Sequence, residues 1–235
     1  MAEYKTVKGF NIETLSSDPS NLTEGQIWYN STSNDLKGYA DAAGAWASST
    51  AMPAGHGLGA QIGTTTAAIV IAGNFPPDGY TNTTIEWDSS SWTAGGAMNT
   101  GRPRPMGSSC GTQTAGLAIG GYNPPSENAV EEYNGVGWTS VTNIPAATNN
   151  GGCAGIQTQA LSFGGENPGT TATFSYDGTN WTAEAALATG RGYVNGLGTG
   201  TSAFLCGGGY PFDTPSNVLV EEWTSGLSTV TFTDS

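Results

Sequence analysis

The stretch that decides the fold is FSYDGTNWTAEAALATGR, residues 174–191. Tyr176 is followed directly by an Asp-Gly pair, and Trp181 comes five residues after that tyrosine. An Asp-Gly pair between two short runs of alternating polarity is typical of the turn in a two-stranded hairpin. We therefore predict that Tyr176 and Trp181 mark the two strands of a hairpin, and that Arg191 begins the segment leading to the next unit.

Four other segments of the chain resemble this stretch. They are IEWDSSSWTAGGAMNTGR (85–102), EEYNGVGWTSVTNIPAAT (131–148), LKGYADAAGAWASSTAMPAG (36–55) and the shorter EEWTSGLSTVTF (221–232). The aligned aromatic residues are Tyr39, Trp87, Tyr133, Tyr176 and Trp223. A period of about 40–50 residues with glycine and aromatic markers is typical of propeller blades that contain four strands each.

A second shared element precedes most of these hairpins. It is an apolar run ending in glycine: AAIVIAG (67–73), AGLAIGG (115–121), QALSFGG (159–165) and SAFLCGG (202–208), with GQIWYNS (25–31) in the first copy. Such a run predicts a strand covered on both faces, and the Gly-rich segment before it suits a strand in a crowded centre. No segment keeps helical periodicity for more than about two turns, so we expect almost no helix.

These markers resemble the Kelch-type, galactose-oxidase-like β-propeller. The matching residues are Gly120-Gly121 with Tyr133 and Trp138, Gly164-Gly165 with Tyr176 and Trp181, and more weakly Gly207-Gly208 with Trp223. The resemblance implies an all-β propeller of four-stranded blades, and the five aromatic markers predict five blades, fewer than Kelch proteins usually have. It places the propeller domain at residues 25–235, with residues 1–24 as an N-terminal arm or a closing strand.

A separate phrase near the start of the chain bears on function. The segment EGQIWYN, residues 24–30, resembles a recurrent segment in structural proteins of tailed phages, particularly marine and cyanobacterial phages. That resemblance implies a virion component assembled in the host cytoplasm, as a decoration, neck or tail-appendage protein that binds other virion proteins. The alternative is an adhesin for host surface glycans. A sialidase-like or other glycoside hydrolase is the disfavoured third hypothesis.

The predicted binding face is the end of the sheets where the loops are long. In a four-stranded antiparallel blade, the loop before the first strand and the loop after the second share one end, and here both are rich in Pro and aromatics. Loops on a rigid scaffold commonly carry binding function, and aromatic and Arg side chains are favoured anchors. The candidate binding residues are Phe75, Tyr80, Arg102, Arg104, Tyr122, Arg191, Tyr193, Tyr210 and Phe212, with His56 nearby. In the opposing interpretation these loops are simply long and the prolines stiffen them.

We predict no catalytic residues and no cofactor. The chain has one histidine, His56, and no Cys-x-x-Cys, which disfavours both a copper site of the galactose-oxidase type and a zinc site. The predicted inner strands contain no Asp or Glu that could form the carboxylate pair of a glycosidase. A pair supplied by loops, such as Asp78 with Glu127 or Glu166, is the remaining route to an enzyme.

The charge of the chain restricts its partners. The formal net charge is −13, with 19 acidic residues against six Lys and Arg. Nucleic-acid phosphates would be repelled, so neither nucleic acid nor an anionic membrane is an expected partner. There is no apolar run of about 18 residues, and the N-terminus lacks the apolar region of a secretion signal. Whether the chain forms oligomers through the particle is left open.

Two further sets of residues receive structural predictions. Glu86, Glu132 and Glu222 each precede a repeat aromatic, and we expect them to face solvent because alternate strand residues point to opposite faces. Cys110 and Cys153 occupy nearly equivalent repeat positions. They either pack as small apolar side chains or form a bond across adjacent blades.

Overall fold

The structure is a computed structural model of the chain. It describes residues 12–39, 46–75, 79–105, 110–165, 169–200, 202–205 and 220–225. For Phe75 and residues 203–205 it describes the main chain alone. These residues form eighteen β-strands and no helix, which confirms the predicted all-β class over the described ranges. Accordingly, this part of the chain contains no helix that is long and apolar enough to cross a membrane. The chain divides into two compact units, Met1–Ser48 and Ser49–Ser235.

The first unit contains one three-stranded sheet. Its strands are β1 (Glu13–Leu15), β2 (Ile27–Asn30) and β3 (Asp35–Gly38). β1 runs parallel to β2, and β3 pairs with β2 antiparallel. Residues 13–15 are thus part of a sheet, while the predicted domain boundary between residues 24 and 25 stays a prediction.

Asp18 organises one face of this first sheet. Its Oδ1 accepts hydrogen bonds from Trp28 Nε1 at 3.0 Å and Asn30 Nδ2 at 2.7 Å, and its Oδ2 lies 2.8 Å from Lys37 Nζ. The bonds from Lys37, Asn30 and Trp28 lower the pKa of Asp18 from 3.8 to about 2 because they favour the ionised carboxylate. The side chains of the EGQIWYN phrase therefore anchor the loop that follows β1.

The second unit contains four repeated sheets. Sheet I consists of β4 (Ala60–Gly63), β5 (Ala68–Phe75), β6 (Gly79–Trp87) and β7 (Trp92–Ala94). Sheet II consists of β8 (Gly111–Thr112), β9 (Ala115–Tyr122), β10 (Ser126–Tyr133) and β11 (Trp138–Ser140). Sheet III consists of β12 (Gly152–Ile156), β13 (Gln159–Phe163), β14 (Thr173–Tyr176) and β15 (Trp181–Ala183). Sheet IV consists of β16 (Gly196–Thr199), β17 (Ser202–Leu205) and β18 (Glu221–Thr224).

Sheets I to III have the same strand order, with each strand antiparallel to the next one in the sequence. Sheet IV has three strands in the same order among its described residues. The first strand of each sheet lies in the Gly-rich segment before an apolar run, where a strand was predicted. Sheets I to III, with four antiparallel strands each, are consistent with blade-like repeat units.

The hairpin predicted from the opening stretch is present in sheet III and is repeated in sheets I and II. Asp177 Oδ1 accepts the main-chain N–H groups of Thr179 and Asn180 at 2.8 and 2.7 Å, which lowers the pKa of Asp177. Asp88 and Asn134 accept the equivalent pairs of N–H groups in their turns. The rings on either side of each turn pack together, with centroid distances of 4.9, 4.9 and 4.7 Å for Trp87–Trp92, Tyr133–Trp138 and Tyr176–Trp181.

The core lies between successive sheets. One cluster, between sheets I and II, includes Ile71 and Met98. A second, between sheets II and III, includes Leu117 and Ile144. A third, between sheets III and IV, includes Phe163. Sheets II and III thus each bury both faces against neighbouring sheets, as their continuous apolar runs predicted.

The repeat tyrosines also bond across sheets. The Tyr133 hydroxyl of sheet II donates to the Glu86 carboxylate of sheet I, and the Tyr176 hydroxyl of sheet III donates to Glu132 Oε1 of sheet II at 3.0 Å. The expectation that Glu86 and Glu132 simply face solvent is therefore wrong: both are half-buried acceptors for the next sheet. Glu222 is exposed, as expected.

Two equivalent glutamines join the main chains of neighbouring sheets. Gln157 Nε2, in the turn before β13, donates to Gly116 O at 3.1 Å and Tyr133 O at 2.9 Å in sheet II. Gln113 Nε2 reaches Ala68 O and Trp87 O of sheet I in the same way, at 3.3 and 2.8 Å. Each amide thus satisfies two carbonyl groups of the preceding sheet.

Cys110 and Cys153 are joined by a disulfide between sheets II and III. Their Cα atoms are 6.0 Å apart, within the range that a disulfide spans. Of the two arrangements compatible with the sequence, the structure has the covalent one. Both residues are buried, at 0% and 3% exposure.

Glycine is required in the first strand of each repeated sheet. Gly63, Gly111, Gly155 and Gly198 have φ values of 112–120°, a conformation that L side chains rarely adopt. A Cβ on Gly155 would lie 2.2 Å from Gln159 O on the paired strand. The strand therefore approaches its neighbour more closely than a side chain would allow.

Candidate functional site

The loops at the predicted binding end are joined by a row of four residues, one from the loop that precedes each repeated sheet. We call Leu58, Arg104, Asn150 and Tyr193 the loop row; each has a positive φ, between 52° and 60°. The N–H of each later member donates to the carbonyl of the member before it, over 2.7, 3.4 and 2.6 Å. The row is thus a continuous main-chain connection across all four sheets. A loop held in this way presents its side chains in a fixed arrangement.

In sheets I to III, the residue pair at the end of the second strand holds the row in place. Ala72-Gly73, Gly120-Gly121 and Gly164-Gly165 share one conformation, with φ near 60° and then near 130°. In sheet II the next residue, Tyr122, donates its N–H to Pro103 O at 2.8 Å, directly before Arg104. The Gly-Gly pair therefore forms a turn, and this turn brings the end of the strand into contact with the loop row.

Four of the predicted binding residues come together here, and we call them the tyrosine–arginine cluster: Tyr80, Arg104, Tyr122 and Tyr193. The Arg104 Cζ lies 5.7 Å from the Tyr122 ring centroid and 6.0 Å from that of Tyr193. Tyr80 meets Tyr122 edge to face, with centroids 6.4 Å apart. Tyr80 and Tyr193 are 40% and 38% exposed, so a partner can reach both of these rings.

Arg102 and Arg191, predicted for the same face, lie inside the protein. Arg102 is fully buried, and its Nη1 lies 2.6 Å from Oε1 of Glu131, which is 2% exposed. Arg191 is 1% exposed, and its Nη2 lies 2.8 Å from Glu221 Oε1. Buried charges are normally paired in this way. Their position gives both arginines a structural task, while a binding role for them stays a prediction.

In both ion pairs the glutamate also accepts a hydrogen bond from a main-chain N–H. The second carboxylate oxygen of Glu131 accepts the Asn99 N–H at 2.8 Å, and that of Glu221 accepts the Ala188 N–H at 2.7 Å. Asn99 and Ala188 each stand three residues before their arginine. Each pair therefore fixes the loop that leads into the loop row.

Different side chains occupy the arginine position in the other sheets and bind the same carbonyl. The bonds are Arg102 Nε to Gly120 O at 2.6 Å, Thr148 Oγ1 to Gly164 O at 3.4 Å, and His56 Nδ1 to Ala72 O at 3.0 Å. Because the partner is a carbonyl, Nδ1 of His56 carries the proton in this contact. His56 thus supports the backbone of its loop.

The repeats contain a signal for these ion pairs that sequence reasoning missed. Sheets II and IV have Arg in the loop and Glu two residues before the repeat aromatic. Sheet III has Thr148 and Phe174 at those two positions, and sheet I has His56 and Ile85. Arg and Glu therefore appear together and disappear together within one chain. That pattern would have predicted their contact.

The side chains of the remaining predicted site residues lie outside the part of the chain that the structure describes. Phe75 ends β5, and the structure describes its main chain alone. Tyr210 and Phe212 lie outside the described residues, as do Asp78 and Glu166 of the proposed carboxylate pairs. Within the described ranges, no group of three or more His, Cys, Asp or Glu side chains is arranged to hold a metal ion. Among the described residues, the tyrosine–arginine cluster offers aromatic rings, the Arg104 guanidinium and hydroxyl groups that can hydrogen-bond.

No protein-family model matches this chain, and no curated protein sequence is significantly similar to it.

Proposed function

We propose that this chain is a non-catalytic binding module of a tailed-phage particle, built as a five-bladed Kelch-like β-propeller. The four repeated sheets would supply four blades. The sheet of β1–β3, which precedes the first repeat aromatic Tyr39, would supply the fifth. The regular period of the aromatic markers supports this assignment.

Small-angle X-ray scattering of the purified chain tests the propeller. A closed propeller of 235 residues has a radius of gyration of about 17–18 Å, as expected for one compact domain. A clearly larger radius, with a scattering profile that fits two separated bodies, would contradict five-blade closure.

The tyrosine–arginine cluster is the observation that supports a binding role. Exposed tyrosine rings and a guanidinium are typical anchors of protein interfaces. The main-chain bonds of the loop row hold these anchors without the ordering cost that mobile loops incur on association. A virion component that contacts its neighbours through this face accounts for both the cluster and its rigidity. The EGQIWYN resemblance is the reason for choosing the phage particle as the setting.

Particles purified from an infection by a phage encoding this chain provide the test. We expect a fixed number of copies per particle and cross-links between the tyrosine–arginine cluster and a neighbouring virion protein. The double variant Tyr80→Ala/Tyr193→Asn should lower incorporation at least about tenfold, while Val136→Ser should leave it unchanged. Val136 is a matched control because it is 79% exposed in a turn at the other end of sheet II. Absence from washed particles would refute the virion role.

Binding of host surface glycans is the second candidate function. It is favoured by the exposed faces of Tyr80 and Tyr193, since aromatic rings are suitable platforms for sugars. An array of glycans separates the two candidates. Saccharide binding that is lost in Tyr193→Asn, together with normal incorporation of that variant, would favour the adhesin over the protein-binding role of this face.

A further inference from the structure

We propose that a cavity between sheets III and IV binds a tryptophan side chain of a partner protein. The cavity has a volume of about 150 Å³. Its lining includes Leu161, Phe163, Thr173, Leu187, Glu222 and Trp223. It shares no residue with the tyrosine–arginine cluster, so this inference goes beyond the function proposed above.

The equivalent space between sheets I and II already holds a tryptophan. Trp138 begins β11 and packs in the core cluster that also contains Ile69, Ile71 and Met98. When the repeats are aligned by strand pairing and by their aromatic residues, the counterparts of these three apolar residues are Leu161, Phe163 and Leu187. The counterpart of Trp138 is Ser228, which lies outside the described residues. Sheets III and IV therefore keep the walls of a tryptophan site, while the repeat position of the tryptophan holds a serine.

A hydroxyl in the cavity matches the indole N–H. Trp138 Nε1 donates to Thr84 Oγ1 at 2.8 Å, and Thr173 stands at the position of Thr84 in sheet III, three residues before the repeat aromatic. Thr173 is 4% exposed, and no described group hydrogen-bonds to its Oγ1. A buried polar atom without a partner is unfavourable. A ligand that donates one N–H to this hydroxyl removes that cost.

The size of the cavity suits an aromatic ring. An engineered cavity of ~150 Å³ lined by Leu, Ile and Phe binds benzene. A tryptophan side chain combines such a ring with the N–H donor, and tryptophans inserted into pockets are typical anchors of protein interfaces. Ala186, another lining residue, is exposed, so the cavity can be reached from the surface.

The charge beside the cavity restricts the partner. Glu222 lines the cavity and is exposed, and the chain has a net charge of −13. Electrostatic complementarity therefore favours a partner segment with Lys or Arg next to its tryptophan. The occupant that fits both the cavity and its surroundings is the tryptophan of a basic protein segment.

NMR titration of the full chain with the peptide acetyl-Lys-Trp-amide tests the proposal. The comparison peptide has 3-benzothienylalanine in place of tryptophan, which keeps the bicyclic shape and has sulfur where indole has its N–H. We expect shift changes at Leu161 and Leu187, and binding of the tryptophan peptide about three- to tenfold more tightly, as one hydrogen bond provides. Thr173→Val keeps the shape of the side chain and removes the acceptor, so this variant should bind both peptides equally.

Thr182→Val is the matched control, because Thr182 is an exposed threonine of β15 outside the cavity lining. This variant should keep the preference for tryptophan. Ala186→Phe places a ring at the exposed edge of the cavity and should weaken both peptides at least about tenfold. At low salt, acetyl-Glu-Trp-amide should bind at least about twofold more weakly than the Lys peptide.

No binding, equal binding of the two main peptides by the unchanged chain, or a preference that survives Thr173→Val would each overturn the proposal. Nuclear Overhauser contacts between residues 226–235 and the Thr173 methyl group in the free chain would also overturn it, because the chain's own segment would then occupy the cavity. Tighter binding of the Glu peptide would contradict a basic partner. Each of these results leaves the role proposed for the tyrosine–arginine cluster standing.

Discussion

Arg102 and Glu131 form a buried ion pair at repeat positions that hold Thr148 and Phe174 in sheet III. The desolvation cost of such a pair is offset only when its geometry is good and the remaining polar atoms are hydrogen-bonded. Here Glu131 accepts both the guanidinium and the Asn99 N–H, while Nη2 of Arg102 is buried without a hydrogen-bond partner, so the desolvation cost is offset only in part. Sheet III has Phe174 at the glutamate position and needs no arginine.

Glu131→Gln should be severely destabilising. It leaves the Arg102 charge buried without a carboxylate, which typically costs about 3–5 kcal/mol. Urea denaturation should show this loss in the free energy of unfolding. The matched variant is Glu132→Gln, which weakens the half-buried acceptor of the Tyr176 hydroxyl and should cost about 1 kcal/mol. Equal losses of unfolding free energy in the two variants would show that the buried charge of Arg102 does not cause the destabilisation.

The tyrosine–glutamate bonds between sheets predict how stability depends on pH. Burial and the Glu86 carboxylate raise the pKa of Tyr133 from 10.0 to about 12, and burial and Glu132 raise the pKa of Tyr176. A tyrosine that keeps its proton longer in the folded protein stabilises the fold fully below pH 10, and this stabilisation is lost as the pH rises towards 12.

Thermal unfolding at pH 8 to 12 measures this effect. We expect the midpoint to fall between pH 10 and 12, and to fall less steeply in Tyr133→Phe/Tyr176→Phe, which cannot ionise at these positions. An equally steep fall in this double variant would show that other groups cause the alkaline instability.

At the scale of the element, the first strand of each sheet depends on a glycine. Gly155→Ala should cost more than about 2 kcal/mol of unfolding free energy, because the new Cβ would meet main-chain atoms at a strained φ. Gly137→Ala is the control: a Cβ added to Gly137 would enter open space, so this change should alter stability by less than about 0.5 kcal/mol. Chemical denaturation compares the two. A similar small effect at both positions would contradict the close approach of β12 to β13.

The sequence predicted the strands and turns because each repeat carries its own local signals. The Gly-Gly pair (Ala72-Gly73 in sheet I), the repeat aromatic and the Asp or Asn of the turn recur at similar intervals, and each has one structural task in sheets I to III. The loop row could not be predicted in this way. Of its four residues, only Asn150 belongs to a type that favours a positive φ, while Leu58, Arg104 and Tyr193 are held there by bonds to the neighbouring loop.

The candidate site could be predicted only in part, because its contacts also join residues of different loops and strands. The tyrosines were found because aromatic residues in long loops are visible in the sequence. The burial of Arg102 and Arg191 was missed because loop arginines are usually exposed. Their side chains turn inward towards glutamates about 30 residues later in the chain, and only a comparison of the repeats with one another would have indicated this.

At the scale of the whole second unit, the four sheets are joined in three ways. Apolar clusters fill the spaces between them, side chains such as Gln157 and Tyr176 bond to the preceding sheet, and the loop row continues the main-chain bonding from sheet I to sheet IV. The loop end of the second unit is therefore joined by main-chain hydrogen bonds, as its strands are. This rigidity is the basis of the proposed binding function.

Amide hydrogen exchange, resolved by residue, tests that rigidity most directly. The amides of Arg104 and Tyr193 donate bonds within the loop row, so they should exchange nearly as slowly as the amides of the core strands β9 and β13. The amide of Val136, in an exposed turn, should exchange faster. Fast exchange at Arg104 and Tyr193 would show that the row opens readily in solution, and would contradict a binding face held in one arrangement.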